Sequence, residues 1–177
     1  MTPRIRKFAL TAHVVSSVGR LGAVAAFLAL AVVGLTSQDA QTVRGVYLVM
    51  EAAAWLILVP LAFASLITGL VQALSTSWGL FHCYWVLSKL VINVIATAVL
   101  LLYMQTFDSM AATAADLSVD LEAVRNFSPV LHAALALLLL LVATTFAVYK
   151  PRGMTPYGQR KQREQHPTDA RGERLVF

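Results

Sequence analysis

The chain has 177 residues, of which 58% are hydrophobic and only 13% charged, with a mean hydropathy of +0.70. A soluble domain carries about 45–50% apolar and about 25% charged residues, so this composition excludes an ordinary soluble enzyme and points to an integral membrane protein. The net charge is +5, with the basic residues gathered at the two chain ends; that distribution suits a membrane face rather than a nucleic-acid groove.

Four apolar stretches meet the length of about 20 residues that a helix needs to cross a bilayer. They lie at about 8–35, 46–74, 80–105 and 127–149. The first follows Arg4, Arg6 and Lys7, but its apolar run is far longer than a signal-peptide core and no small-residue cleavage site follows, so it reads as a retained helix. The loop 36–45 holds Asp39 and Arg44 and is neutral. The turn Ser75–Gly79 is uncharged and short, which makes the second and third spans an antiparallel hairpin. The segment 106–126 carries Asp108, Asp116, Asp120 and Glu122 against Arg125, and its alanine-rich part from Ser109 to Val124 reads as a short helix outside the membrane.

The tail from Lys150 onward holds seven basic residues against three acids. By the positive-inside rule both termini are cytoplasmic, and an even number of spans agrees. The fold class is therefore all-α: a bundle of four transmembrane helices over residues 1–150, followed by a disordered basic tail over 151–177. The run Arg160-Lys161-Gln162-Arg163 is placed to meet anionic lipid. The lone cysteine, Cys83, reads as a small buried apolar residue. The chain has no P-loop, dinucleotide fingerprint, HExxH or paired-cysteine metal motif. The expected partners are the bilayer itself and either a second copy of the chain or a larger membrane complex, with no nucleic acid.

Polar residues inside the spans carry the most information, because an unpaired polar group in lipid is costly. His13 and Arg20 are seven residues apart and share a helix face with Ser16, Ser17 and Gly22 nearby. Glu51 and Trp55 fall one turn apart on the second span, followed by Pro60, Thr68 and Gly69. His82, Lys89 and Asn93 share a face of the third span, and His132 opens the fourth. A rise of about 1.5 Å per residue sets their depths. His13 and Lys89 fall in the cytoplasmic half, Arg20 near the midplane, Glu51 and His132 in the outer half. Two inward clusters are expected: His13 with Lys89 and Asn93, and Arg20 with Glu51 and His132.

Short motifs along the chain extend this reading. His13 is followed by Arg20 and Gly22; Pro60 is followed by Gly69; the third span holds Trp85-Val-Leu-Ser-Lys89; Asn126-Phe127-Ser128-Pro129 opens the fourth, which ends in Lys150-Pro151. In this order the chain resembles the HemJ-type protoporphyrinogen oxidases, four-helix bacterial membrane proteins. Through Lys150–Gly158 it also resembles actinobacterial four-helix membrane proteins with no assigned activity. The resemblance implies a b-type haem whose iron is held by His13, with Lys89 essential and a candidate second ligand, in a bundle that supplies cofactor ligands from facing helices. Arg20 stands where that family has tryptophan, the histidine before its lysine is absent, and Phe127 replaces its glutamate. The resemblance thus implies haem binding for electron transfer or porphyrin-related redox chemistry more directly than porphyrinogen oxidation. Two other classes follow from the residues alone. One is a non-catalytic membrane subunit or scaffold whose inward polar groups set packing; the other is a small transporter working through Glu51, Arg20 and His132.

Overall fold

The computed structural model describes residues 2–75, 84–149 and 155. The turn Ser75–Gly79 beyond Ser75, His82, Cys83 and the basic tail apart from Thr155 lie outside the described residues. The described residues are helical, without strands, and four of the helical stretches are long and apolar enough to cross a membrane. Helix α1 spans Pro3–Thr36, α2 Ala40–Ala53, α3 Val59–Ser75, α4 Tyr84–Ala115, α5 Leu121–Val124 and α6 Ser128–Tyr149.

Helices α2 and α3 form one continuous rod, joined by a π-helical turn over Ala54–Leu58. The cause is Pro60. Proline lacks an N–H and its ring presses on the carbonyl four residues back, so the helix above it must widen. The Val59 N–H accordingly reaches back five residues, to the Ala54 carbonyl. Leu58 in this turn and Met50 before it are both buried.

Sequence periodicity decides which face of each helix turns inward. On α1 the buried positions are Ser16, Arg20, Val24, Phe27, Ala31 and Gly34, steps of three and four that trace one stripe. On α2 the stripe is Val43, Tyr47, Met50 and Ala54, continued by Leu58. The opposite faces are apolar too: Phe8, Leu56, Leu102 and Val148 are each at least 70% exposed. A helix apolar on all sides and exposed on one of them is what a lipid environment selects.

The core is not evenly distributed. Its buried apolar cluster, including Phe27, Tyr47, Met50, Met104 and Phe107, fills the end of the bundle nearest the α1–α2 loop. That end is also tied by cations. Arg44 donates to the carbonyls of Ala114 (3.1 Å), Asp116 (2.6 Å) and Val119 (2.5 Å), covering carbonyls left open where α4 stops. Arg125 donates to the Ser37 carbonyl at the end of α1 (2.5 Å) and pairs with Glu122 (2.6 Å). Tyr47 Oη accepts from the Asn126 N–H at 3.0 Å. The alanine-rich segment is therefore not a separate helix: α4 runs unbroken to Ala115, a turn follows, and only Leu121–Val124 is helical beyond it. Alanine is the strongest helix former, and nothing between Thr106 and Ala115 interrupts it.

Candidate functional site: a polar seam leading to a lateral cleft

At the opposite end of the bundle α1 and α3 meet through polar side chains in antiparallel register. Gln72 Nε2 donates to the Ala9 carbonyl at 3.0 Å. One turn along α1, His13 Nδ1 lies 3.1 Å from Thr68 Oγ1 and 3.2 Å from the Ser65 carbonyl. One turn further, the Ser17 and Ser65 hydroxyls are 3.1 Å apart. Two steps of four residues up α1 are matched by steps of four and three back along α3. Such side-chain bonds across helices are a recurrent device for joining apolar rods without a soluble-style hydrophobic drive.

Gly69 makes the close approach possible. A Cβ built there would lie 3.0 Å from His13 Cε1, tighter than nearly all real contacts, so the imidazole sits close against bare backbone. With Nδ1 facing a carbonyl, the tautomer that donates from Nδ1 is favoured and Nε2 is left as the acceptor nitrogen. Lys89 is half-buried on α4.

The seam ends at Arg20. Its guanidinium is 3% exposed, and its Nη1 donates to Asn93 Oδ1 on α4. Asn93 in turn offers its carbonyl to Thr97 Oγ1 at 2.7 Å. Beyond Arg20 the character of the interior changes. A cleft of about 300 Å³ lies between α1, α4 and α6, walled by apolar side chains from Val24, Leu58, Ala96 and Ala136 among others. Ile95 on α4 and Leu135 and Leu139 on α6 belong both to this wall and to the exposed surface, so the cleft opens sideways between those two helices. Beyond Pro129 no described residue of α6 is buried, which agrees with a helix that closes the bundle only partly on that side.

Polar groups stand at two places in the wall. Arg20 is one. The other is a stacked pair, Tyr103 and His132, with ring centroids 4.2 Å apart. Tyr103 Oη donates to Ser128 Oγ at 2.9 Å, and His132 Nδ1 lies 2.9 Å from the Ser128 carbonyl, so both rings are oriented by the first turn of α6. Tyr103 also stands edge-on to Phe107 at 4.9 Å, and Phe107 edge-on to Phe27 at 5.8 Å, giving a row of rings across α6, α4 and α1.

The residues singled out in the sequence are thus distributed as follows. Arg20 and Asn93 are joined directly, so Asn93 sits with Arg20 rather than in the expected group with His13 and Lys89, and Arg20 and His132 wall the same cleft. Glu51 is half-buried on α2, and among the described residues no hydrogen bond or ion pair links it to Arg20 or His132. Ser65, Tyr103 and Ser128 belong to these arrangements without having been singled out. The signal for Ser65 was present: Ser65, Thr68 and Gln72 form a polar stripe at helical spacing in an otherwise apolar span.

His13, oriented through Nδ1, would be the residue to hold a haem iron, through Nε2. The space does not match this donor. His13 is absent from the lining of the cleft, and its ring is pressed against Gly69. Among the described residues no three His, Cys, Asp or Glu side chains converge on a metal position. No protein-family model, curated protein or solved structure matches the chain.

Proposed function

We propose that this chain is a multi-pass protein of a bacterial cytoplasmic membrane, with both termini on the cytoplasmic side, that holds a membrane-dissolved amphiphile in the cleft between α1, α4 and α6. The orientation rests on charge: Arg4, Arg6 and Lys7 lie in the first turns of α1 and further basic residues follow α6, while the acids Asp108, Asp116, Asp120 and Glu122 lie at the other end. The observation that carries the ligand reading is the cleft itself. Its volume sits at the lower edge of the about 300–1,000 Å³ typical of small-molecule sites, and its wall has the usual make-up of apolar surface with a few placed polar groups. Its opening faces the side of the bundle, so a ligand enters from the bilayer and a long chain continues out into it.

The test is photolabelling of the full-length protein in nanodiscs with a diazirine-bearing long-chain amphiphile. Labelled peptides from α4 and α6, lost when the cleft is filled by Ala136→Phe, agree with the reading. Labelling spread evenly over all four spans and unaffected by Ala136→Phe rejects it.

A second reading, a b-type haem on His13, is favoured by one observation, the Nδ1 tether that leaves Nε2 as the ligating nitrogen. It requires the helices to part beside His13. An oxidised and dithionite-reduced absorption spectrum of protein made with ample haem decides it. A Soret band near one haem per chain, lost in His13→Ala, supports this reading; a featureless spectrum that added hemin does not change removes it.

A further inference from the structure

Arg20 is a cation in an unusual place. It is 97% removed from solvent, by its 3% exposure, and its hydrogen-bond partner among the described residues is a neutral amide, Asn93. No carboxylate among the described residues pairs with it; the ion pair found there is Arg125–Glu122, at the far end of the bundle. A guanidinium has five N–H donors and stays charged, and a buried charge is stable only when it is paired and hydrogen-bonded. Arg20 lines the cleft, and among the described lining residues it is the one with a permanent charge.

We infer that the cleft binds a single-chain amphiphile with a monovalent carboxylate head, a long-chain fatty acid or a close analogue, its head on Arg20 and its chain leaving between α4 and α6. The inference rests on the amphiphile reading above and names its ligand class. Four features lead to it. The planar guanidinium fork matches a carboxylate two bonds to two. One positive charge calls for one negative charge, so a doubly charged phosphate monoester would leave a charge uncompensated in a low-dielectric site. The volume, about 300 Å³, suits one chain rather than the two of a phospholipid, and the surplus length of the chain passes between the exposed side chains Ile95, Leu135 and Leu139. Asn93 holds the guanidinium from the α4 side, which fixes its position before a ligand arrives.

The experiment is competition against the diazirine fatty-acid label in full-length protein, comparing palmitic acid, palmityl alcohol and methyl palmitate. The wild type is expected to prefer the acid by roughly tenfold or more, the affinity equivalent of one hydrogen bond to a charged group. Arg20→Lys keeps most of that preference, because the charge remains. Arg20→Gln reduces it to near unity while labelling by the uncharged analogues persists, which also shows that the variant is folded. Equal competition by acid, alcohol and ester in the wild type overturns the carboxylate assignment and leaves the cleft reading standing. Absence of site-selective labelling by any of the three overturns both. An acid preference that survives Arg20→Gln places the head elsewhere and overturns the role given to Arg20.

Discussion

Arg20 on α1 donates to Asn93 on α4 at the level where the polar α1–α3 seam stops and the apolar cleft begins. The bond spans two helices that the chain joins only through the intervening α2–α3 rod. It holds the buried guanidinium of a residue that lines the cleft. Replacing Asn93 by Leu removes the acceptor and leaves Arg20 without a neutral partner. Loss of one partner of a buried charged group costs about 1–3 kcal/mol or more. The double variant Asn93→Leu with Arg20→Leu is expected to recover much of that stability, since apolar replacement of a buried polar pair is often tolerated. Unfolding by SDS or steric trapping of the three variants checks the order.

Gly69 and His13 give a second prediction. A methyl group at position 69 meets the imidazole at 3.0 Å, and the ring is tethered through Nδ1 to Thr68 and Ser65. Gly69→Ala is expected to destabilise the α1–α3 pair by about 1–3 kcal/mol, as overpacking usually does. The ring resonances of His13 are expected to move in the NMR spectrum. A neutral effect on both stability and spectrum shows that the contact is looser than described.

The cap formed by Arg44 holds three carbonyls at the end of α4. Arg44→Met loses all three bonds, and hydrogen bonds to a charged group are worth about 1.5–3 kcal/mol each at most. A drop of about 2–3 kcal/mol is expected, with faster amide exchange confined to residues 111–126. Arg44→Lys is expected to recover only part of it, because a point ammonium does not span three acceptors that a fork reaches.

Acid acts on the same end. Asp39 caps α2 by accepting from the Thr42 hydroxyl (2.6 Å) and N–H (2.8 Å), and these bonds hold its carboxyl below the ordinary range. Asp116 is lowered in the same way, first by the Ser118 hydroxyl and then by its N–H. A carboxylate whose pKa is lower folded than unfolded stabilises the fold above its unfolded value, near 4, and loses that contribution as pH falls through the folded value. Thermal stability is therefore expected to decline below about pH 4. Asp39→Asn, which still caps, is expected to flatten part of that decline. An unchanged pH profile in the variant contradicts the assignment.

Much of this arrangement was legible in the sequence. The four apolar helices and the inward face carrying Arg20 follow from length and periodicity alone, whereas the pairing of Asn93 with Arg20 rather than with His13 does not. Arg20 and Glu51 were expected together because depth along the helix axis puts them within reach. Depth says nothing about rotation around that axis. The buried stripe Val43, Tyr47, Met50 and Ala54 turns Met50 inward, and Glu51, one residue on, lies about 100° around the helix from it. The cleft had no sequence signal, because it is a place where side chains of three helices fail to fill space. Its shape depends on the π-helical turn above Pro60, and sequence shows the proline without showing how the helix absorbs it.

The central claim is that the cleft holds a single amphiphilic chain by its acidic head. Native mass spectrometry of the full-length protein, released from detergent after incubation with palmitic acid, tests it most directly. The account predicts one bound acid per chain on the wild type, and little on Ala136→Phe or Arg20→Gln at the same concentration. Wild-type protein that carries no more acid than either variant contradicts it.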